Sequence, residues 1–391
     1  MEDDSLYSSE LHVRDSVFIY NSTESPSYEF SDYAQRAVVA TLYLIASVLG
    51  IAGNSLVIWA VFFSRKLRTT TNAFVVNLSV ADLLTSLVIP WDAVELLGSD
   101  YLPVNEWICS AVAFMQYTTV GCSTCTLASV GVNRLLLITR PTTVYQIIDT
   151  PRKIAVWLVA TWLVPLLVVL LPPLLNVGGI GYNQKYHNCG SKSSHPRSDT
   201  YDVIIAGILY PAPLIAIIVC YALIWRHLNR HARNMTRALG EPCQVTLDDP
   251  SSDRVTSATS VSVIRSTSTP KYLSSRAPTR QCTAIGQSRM SHRQYEITKN
   301  MLYVVCAFFL CLTPFAICLF YDDSDPFLPY ASAILVFNSC INPLIYATKH
   351  RDFKTVFGCI LRRKWDNIPE PSEFLKAMRR RKCCRRNMPT E

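Results

Sequence analysis

The residues best placed to do chemistry are a few polar side chains set inside long apolar runs. Asp82 ends the stretch Asn77-Leu78-Ser79-Val80-Ala81-Asp82. An ionisable group in hydrocarbon is costly and marks a functional position by default. Its carboxylate needs a cation, amide donors or its own proton, and Ser123, Asn338, Ser339 and Asn342 are the polar residues of other runs that could complete such a site. Asp92 and Glu95, nearer the end of the same run, are expected to reach water. Gln116, Ser123 and Arg134 follow at separations of 7 and 11 residues. At 100° per residue those steps fall within ~20° of whole turns, so the three share one helix face, with Gln116 and Arg134 ~27 Å apart. The bland reading is packing plus a snorkelling arginine. The sharper reading is a polar stack that links a pocket at one end to a switch at the other. None of the 7 histidines lies deep in an apolar run. A mid-membrane metal cluster or Ser/His pair therefore has no residues to build it, and no catalytic site is expected.

Apolar runs long enough to cross a bilayer must position these groups. A crossing needs roughly 20 predominantly apolar residues. The sequence offers seven: 37–63, 73–97, 108–138, 154–175, 203–228, 298–320 and 328–347. The fold class expected is an all-α membrane protein, a seven-transmembrane helix bundle over residues 36–348. Residues 349–363 read as a short amphipathic interfacial helix with Phe353, Val356, Phe357 and Ile360 on one face. Residues 230–292 are rich in Ser, Thr, Arg and Pro and are expected to form a disordered loop. Residues 364–391 read as a basic cytoplasmic tail.

Charge gives the orientation. Arg65, Lys66 and Arg68 follow the first run, and Arg140, Arg152 and Lys153 follow the third. Basic loops stay cytoplasmic, so the acidic segment 1–35 is expected outside, as an extracellular tail of a multi-pass plasma-membrane protein. No secretory signal is visible in it, and the first span is expected to serve as the targeting segment. The net charge of +8 is then a cytoplasmic excess facing the membrane, and nucleic acid is not an expected partner. Asn21-Ser22-Thr23 is the one sequon on the outer side. Of 14 cysteines, Cys109 and Cys189 fall at the oxidising face and are the expected pair, with Cys318 as a rival. Cys359, Cys383 and Cys384 are candidates for acylation, although a plain solvated basic tail reads the last two equally well.

Prolines punctuate the later runs. Pro213, Pro314 and Pro343 each free a backbone carbonyl and permit a bend, either a static kink or a hinge.

Taken in order, these motifs resemble the rhodopsin family, class A, of G-protein-coupled receptors. Gly53-Asn54, Leu78-Ser79-Val80-Ala81-Asp82, Cys109 with Cys189, Trp162 with Pro172, Pro213 with Tyr221, Asn342-Pro343-Leu344-Ile345-Tyr346 and the following Phe353 sit at that family's spacing, across about residues 36–363. The resemblance implies a central sodium site of Asp82, Ser123, Asn338 and Asn342, an allosteric ion rather than a cofactor. It implies that Arg134 meets a G protein while Tyr221 and Tyr346 swing inward to support it. Partners implied are a heterotrimeric G protein, arrestin, receptor kinases and the lipid bilayer. Departures are informative. Asn133 stands where the family has an acid, and Gln294 stands near where it often has a Glu. Leu312, before Thr313-Pro314, replaces the usual Trp, leaving Phe308 one turn below as the helix-six aromatic. The Asn-Arg start is shared by melatonin receptors and by the orphan receptors moody and trapped-in-endoderm, and the chain resembles that branch. Amine receptors place an Asp where Gln116 stands. Gln116 and Tyr117 are therefore expected to line a pocket for a ligand that is not a simple amine, either neutral and hydrogen-bonding or a lipid. An opsin would need a Lys in the seventh run, where Val336 stands and Lys349 comes only at the end. A transporter or channel would show repeats or a polar pore.

Overall fold

The computed structural model describes residues 28–98, 105–140, 150–240, 279–319 and 321–386. Side chains at 231–232, 234–297, 322 and 381–386 lie outside that description, as do Asn21 and the 241–278 part of the expected disordered loop. Seven helices are long and apolar enough to cross a membrane: Tyr33–Phe63, Thr70–Leu97, Glu106–Thr139, Pro151–Leu174, Ser198–Arg230, Thr298–Cys318 and Leu328–Lys349. They are called spans one to seven, and each agrees with an expected run to within a few residues. The chain is a multi-pass membrane protein.

Local chemistry sets the helix ends. The Asp32 carboxylate accepts from the Ala34 N–H at 2.9 Å to cap span one, and the Thr69 hydroxyl accepts from Asn72 N at 3.3 Å to cap span two. Span four opens with Pro151 in its first turn, where the missing N–H costs nothing. Every span but the third leaves an apolar face uncovered by protein, with residues such as Val48, Trp59, Leu87, Val156, Ile215, Leu310 and Leu344 exposed. In a soluble protein this surface would be a liability; here it faces lipid.

Prolines bend five spans, and four of the freed carbonyls are taken up by a neighbouring helix. Pro90 leaves the Ser86 carbonyl, which accepts from Ser47 Oγ of span one at 2.6 Å. Pro173 leaves that of Val169, which accepts from the Tyr201 hydroxyl at 3.2 Å. Pro213 leaves that of Leu209, where span five breaks at Tyr210, and Thr124 Oγ1 of span three donates to it at 3.2 Å. Pro343 leaves that of Ser339, which accepts from Asn54 Nδ2 at 2.8 Å. Gly53 makes the last of these contacts possible. A Cβ there would stand 2.9 Å from Pro343 Cβ and Cγ, closer than packed carbons approach.

A two-stranded antiparallel hairpin, β1 (Ile180–Asn183) and β2 (Asn188–Ser191), follows span four, an element the all-helical reading did not anticipate. It marks one end of the bundle, the hairpin end; the opposite is the Arg134 end. The interfacial helix runs Arg351–Leu361, and Phe353, Val356, Phe357 and Ile360 are its buried residues, the face that the sequence spacing implies. Phe353 stacks on Tyr346 of span seven with ring centroids 5.6 Å apart.

Residues 364–386 are more than a solvated tail. A short turn at Trp365–Asn367 leads to a tail helix, Glu373–Arg386. Between them the chain pairs with the end of span one: Ser64 bridges Pro371, Arg65 N donates to Glu370 O at 2.8 Å, and Ser372 N donates to Phe63 O at 2.8 Å.

Candidate functional site

Asp82 is fully buried and forms the centre of the first cluster. Ser123 Oγ of span three donates to Asp82 Oδ1 at 3.0 Å, and Asn342 Nδ2 of span seven donates to Oδ2 at 2.8 Å. The Ser339 hydroxyl bears on the same carboxylate. Asn338 does not bond it. Its Oδ1 is buried without a partner among the described residues, as is Asn342 Oδ1. Asn338 and Ser339 are adjacent and both buried, and point ~100° apart around span seven. A carboxylate beside unpartnered buried amide oxygens is a hard-oxygen donor set of the type that suits a hard cation.

The hairpin end holds the second cluster. Cys109 of span three is disulfide-bonded to Cys189 of β2, and Cys318 is a free thiol. Asp92 does not reach water, contrary to expectation. It is 3 % exposed, and Oδ1 accepts from the Cys189 N–H at 3.0 Å while Oδ2 accepts from Gln116 Nε2. Glu95 is buried as well. Burying a charge is tolerated only with compensating donors, and the hairpin backbone supplies one that no side-chain pattern reveals. The Tyr117 hydroxyl accepts from Ser191 N at 3.1 Å, and the Ser191 hydroxyl donates to Asp202 of span five at 2.8 Å. Tyr117 meets Tyr201 edge-on at 6.4 Å, and Tyr210 meets Phe315 at 6.2 Å. Gln116 and Tyr117 thus form the floor beneath a roof of Cys189–Ser191.

Further bonds hold the roof. Asn183 Oδ1 accepts from Lys185 N at 3.0 Å and Tyr186 N at 3.3 Å, shaping the turn, and His187 takes a left-handed φ of 51°. Tyr186 donates to Asp325 at 2.7 Å. Burial, reinforced by that carboxylate, pushes the Tyr186 phenol above its ordinary pKa.

The third cluster lies at the Arg134 end. Arg134, Asn133 and Tyr346 are buried, and Tyr221 packs partly buried against the same core. Gln294 has a described backbone in the helix Thr279–Cys318 that contains span six, but its side chain lies outside the described residues. Phe308 and Leu312 of span six are buried together, so the Leu fills the position expected of an aromatic, and Pro314 follows inside the helix. Beside them is a groove between the ends of spans five and six, lined by Tyr221, Ile224, Trp225, Leu228, Thr298, Lys299 and Leu302. Cys359 is half-buried with Sγ 3.5 Å from Asn367 O, while the side chains of Cys383 and Cys384 lie outside the description.

Sequence reading missed the role of Asn77. Its Nδ2 donates to Thr126 at 2.8 Å and Thr161 at 3.2 Å, and its Oδ1 accepts from Trp162 Nε1 at 2.9 Å, joining spans two, three and four. The available signal was an amide inside an apolar run.

Comparison with known proteins matches residues 53–346 to the seven-transmembrane receptor family described as the rhodopsin family. The G-protein coupled receptor moody of Drosophila melanogaster is 27 % identical over 365 residues, covering 87 % of this chain and 54 % of that protein. The human (Homo sapiens) alpha-1D adrenergic receptor is 30 % identical over 341 residues, covering 84 % and 57 %. The chain spans about half the length of these curated relatives. The crystal structure of squid rhodopsin superposes with a TM-score of 0.65 at 17 % identity, covering 86 % of this chain and 87 % of that one, a likeness of fold.

Proposed function

The chain belongs to the rhodopsin family of seven-transmembrane receptors, and from that premise we propose that it binds an extracellular or lipid-phase ligand at the hairpin end and activates a heterotrimeric G protein at the Arg134 end. The hairpin end faces outside at the plasma membrane, with the N-terminal tail and a glycan on Asn21. The observation that carries the reading is the single face of span three. Gln116 touches the hairpin through Asp92, Ser123 touches the central carboxylate, and Arg134 closes the opposite end. A ligand that separates Gln116 from Asp92, or Tyr117 from Ser191, would disturb the floor and the roof together. The amide and phenol suit a neutral hydrogen-bonding or lipid ligand rather than a simple amine.

In this reading Asp82, Ser123, Asn342 and the nearby amide oxygen of Asn338 hold a sodium ion that favours the resting arrangement. Asn133, Arg134, Tyr221 and Tyr346, with Phe308, Leu312 and Pro314 on span six, form the switch. Arrestin and receptor kinases are the further partners of the active form, and Cys359, Cys383 and Cys384 are acylation sites.

A ligand screen in cells reporting each G-protein class tests this. The expected result is a concentration-dependent signal through at least one class, weakened by Gln116→Ala or Tyr117→Ala. A response unchanged in both variants would remove the ligand from this site, and no response from any class to a ligand that demonstrably binds would remove the G protein.

A further inference from the structure

The tail helix, Glu373–Arg386, enters the receptor reading only through acylation at Cys383 and Cys384, and its attachment and charge point further. Its attachment is specific. The backbone bridge between Ser64 and Pro371 is reinforced by Ser64 Oγ, which donates to Pro369 O at 2.7 Å, and by the Arg65–Glu373 ion pair at 3.1 Å. Ile368, Ser372 and Leu375 are buried in the joint. The Ser372 hydroxyl accepts from Leu375 N at 3.4 Å and so caps the helix. The start of the helix is therefore held at the end of span one.

That position sets what the helix can touch. Phe374 lies against Phe62 with ring centroids 5.4 Å apart, and Trp365 lies against Phe63 at 5.5 Å. Phe62 and Trp59 are exposed on span one, the aromatic pair at the membrane boundary. Phe374 and Met378 are one helical turn apart on the tail helix, and both are exposed. The uncovered apolar surface of span one thus continues without a break onto the tail helix.

Charge names the occupant. Of the 14 residues of the helix, seven are basic: Lys376, Arg379, Arg380, Arg381, Lys382, Arg385 and Arg386. Its one acid, Glu373, is already paired with Arg65 and with Lys376 at 3.0 Å. Arg379 is turned inward to Asp366 and the Trp365 carbonyl, while Arg380 is exposed. An apolar edge beside a lipid-facing helix, on a segment whose basic residues outnumber its acid seven to one, is matched by acyl chains below and anionic headgroups at the surface.

We infer that the tail helix is a second membrane-interface helix, which inserts Phe374 and Met378 at the bilayer boundary and binds anionic lipid headgroups through its basic residues. In the receptor orientation given above, these lipids are those of the inner leaflet, and the inference rests on that reading only for the choice of leaflet.

Hydrogen–deuterium exchange of the full chain in nanodiscs tests it. Both faces of a nanodisc are open and carry the same lipids, so a wrong orientation would not mask the result. In discs of phosphatidylcholine mixed with phosphatidylserine, amides of residues 376–386 should exchange roughly tenfold more slowly than in phosphatidylcholine alone, since protection reports local opening. Added salt should erode the difference. The combined variant Lys376→Gln, Arg380→Gln, Arg381→Gln, Lys382→Gln should abolish it, while Phe374→Ser should reduce protection in both lipids. Equal exchange in the two lipids would overturn the proposal, as would protection retained by the combined variant. Protection that appears only when a G protein is added would assign the helix to a protein partner and overturn it equally.

Discussion

Among the described residues, the middle of span six and the rest of the bundle are held by different forces. Spans one, two, three, four, five and seven are joined by directional bonds: Ser47 to Ser86, Asn54 to Ser339, Thr124 to Leu209, Tyr201 to Val169, and Asn77 to Thr126 and Thr161. From Met301 to Leu312 the buried positions of span six are all apolar: Met301, Val304, Val305, Phe308, Cys311 and Leu312. Pro314 frees the Leu310 carbonyl, and among the described residues no neighbouring side chain reaches it. Apolar contact is non-directional and can be re-formed after a rotation, whereas a hydrogen bond fixes an angle. The same amino acid therefore does two jobs. Four of the prolines free carbonyls that a neighbouring helix takes up, and Pro314 is the one proposed to act as a hinge.

The comparison can be broken most severely at Gly53. Gly53→Val would drive methyl groups into Pro343, and overpacking of this sort costs up to ~3 kcal/mol. Thermal unfolding in detergent should show a large loss of stability and, in cells, little protein at the surface. A variant as stable as the parent would mean that spans one and seven are not packed as described.

Asn54→Ala is the milder form of the same test. It leaves the Ser339 carbonyl buried and unpaired, at a cost of ~1–3 kcal/mol, at the lower end if lipid or water fills in. The melting temperature should fall by a few degrees, with a comparable fall for Ser47→Ala, whose partner carbonyl at Ser86 is buried as well. No change in either would leave the kinks unpinned.

Pro314→Ala should act in the opposite sense. It restores an N–H and removes the kink, so stability should be equal or higher, by up to ~1 kcal/mol, while G-protein activation falls. Reduced stability together with full signalling would show that the span-six kink is static.

The smallest effect concerns the restraint on the resting state. Asn133 puts a neutral amide next to Arg134 in the chain. A carboxylate beside the guanidinium adds a charge–charge attraction that an amide lacks, of ~1 kcal/mol, enough to move a two-state population about fivefold. Asn133→Asp should therefore lower ligand-independent signalling at matched surface expression. Equal or higher basal activity would place the restraint elsewhere.

Much of this was legible in the sequence because it follows from period and polarity. The seven spans, the buried face of the interfacial helix and the convergence of Asp82, Ser123 and Asn342 all depend on the spacing of side chains along one helix or on the cost of a charge in hydrocarbon. The parts that escaped depend on backbone groups. Asp92 looked like a group near water because its partner is the N–H of Cys189, which every residue but proline could offer. Asn54 satisfies a carbonyl, and the tail is joined to Ser64 by main-chain bonds with no residue signature.

The most direct test of the account is a pair of distances measured in one protein. Spin labels carried on unnatural amino acids at Lys299 and Arg152 report span six against span four, and labels at Phe62 and Thr348 report span one against span seven; all four side chains are exposed. When a nucleotide-free G protein is bound, the first distance should lengthen by roughly 5 Å or more, the scale of an element shifting by a helical turn, while the second stays within about 1 Å, as expected of a packed interface that does not deform continuously. A shift in the Phe62–Thr348 distance with Lys299–Arg152 unchanged would contradict the account.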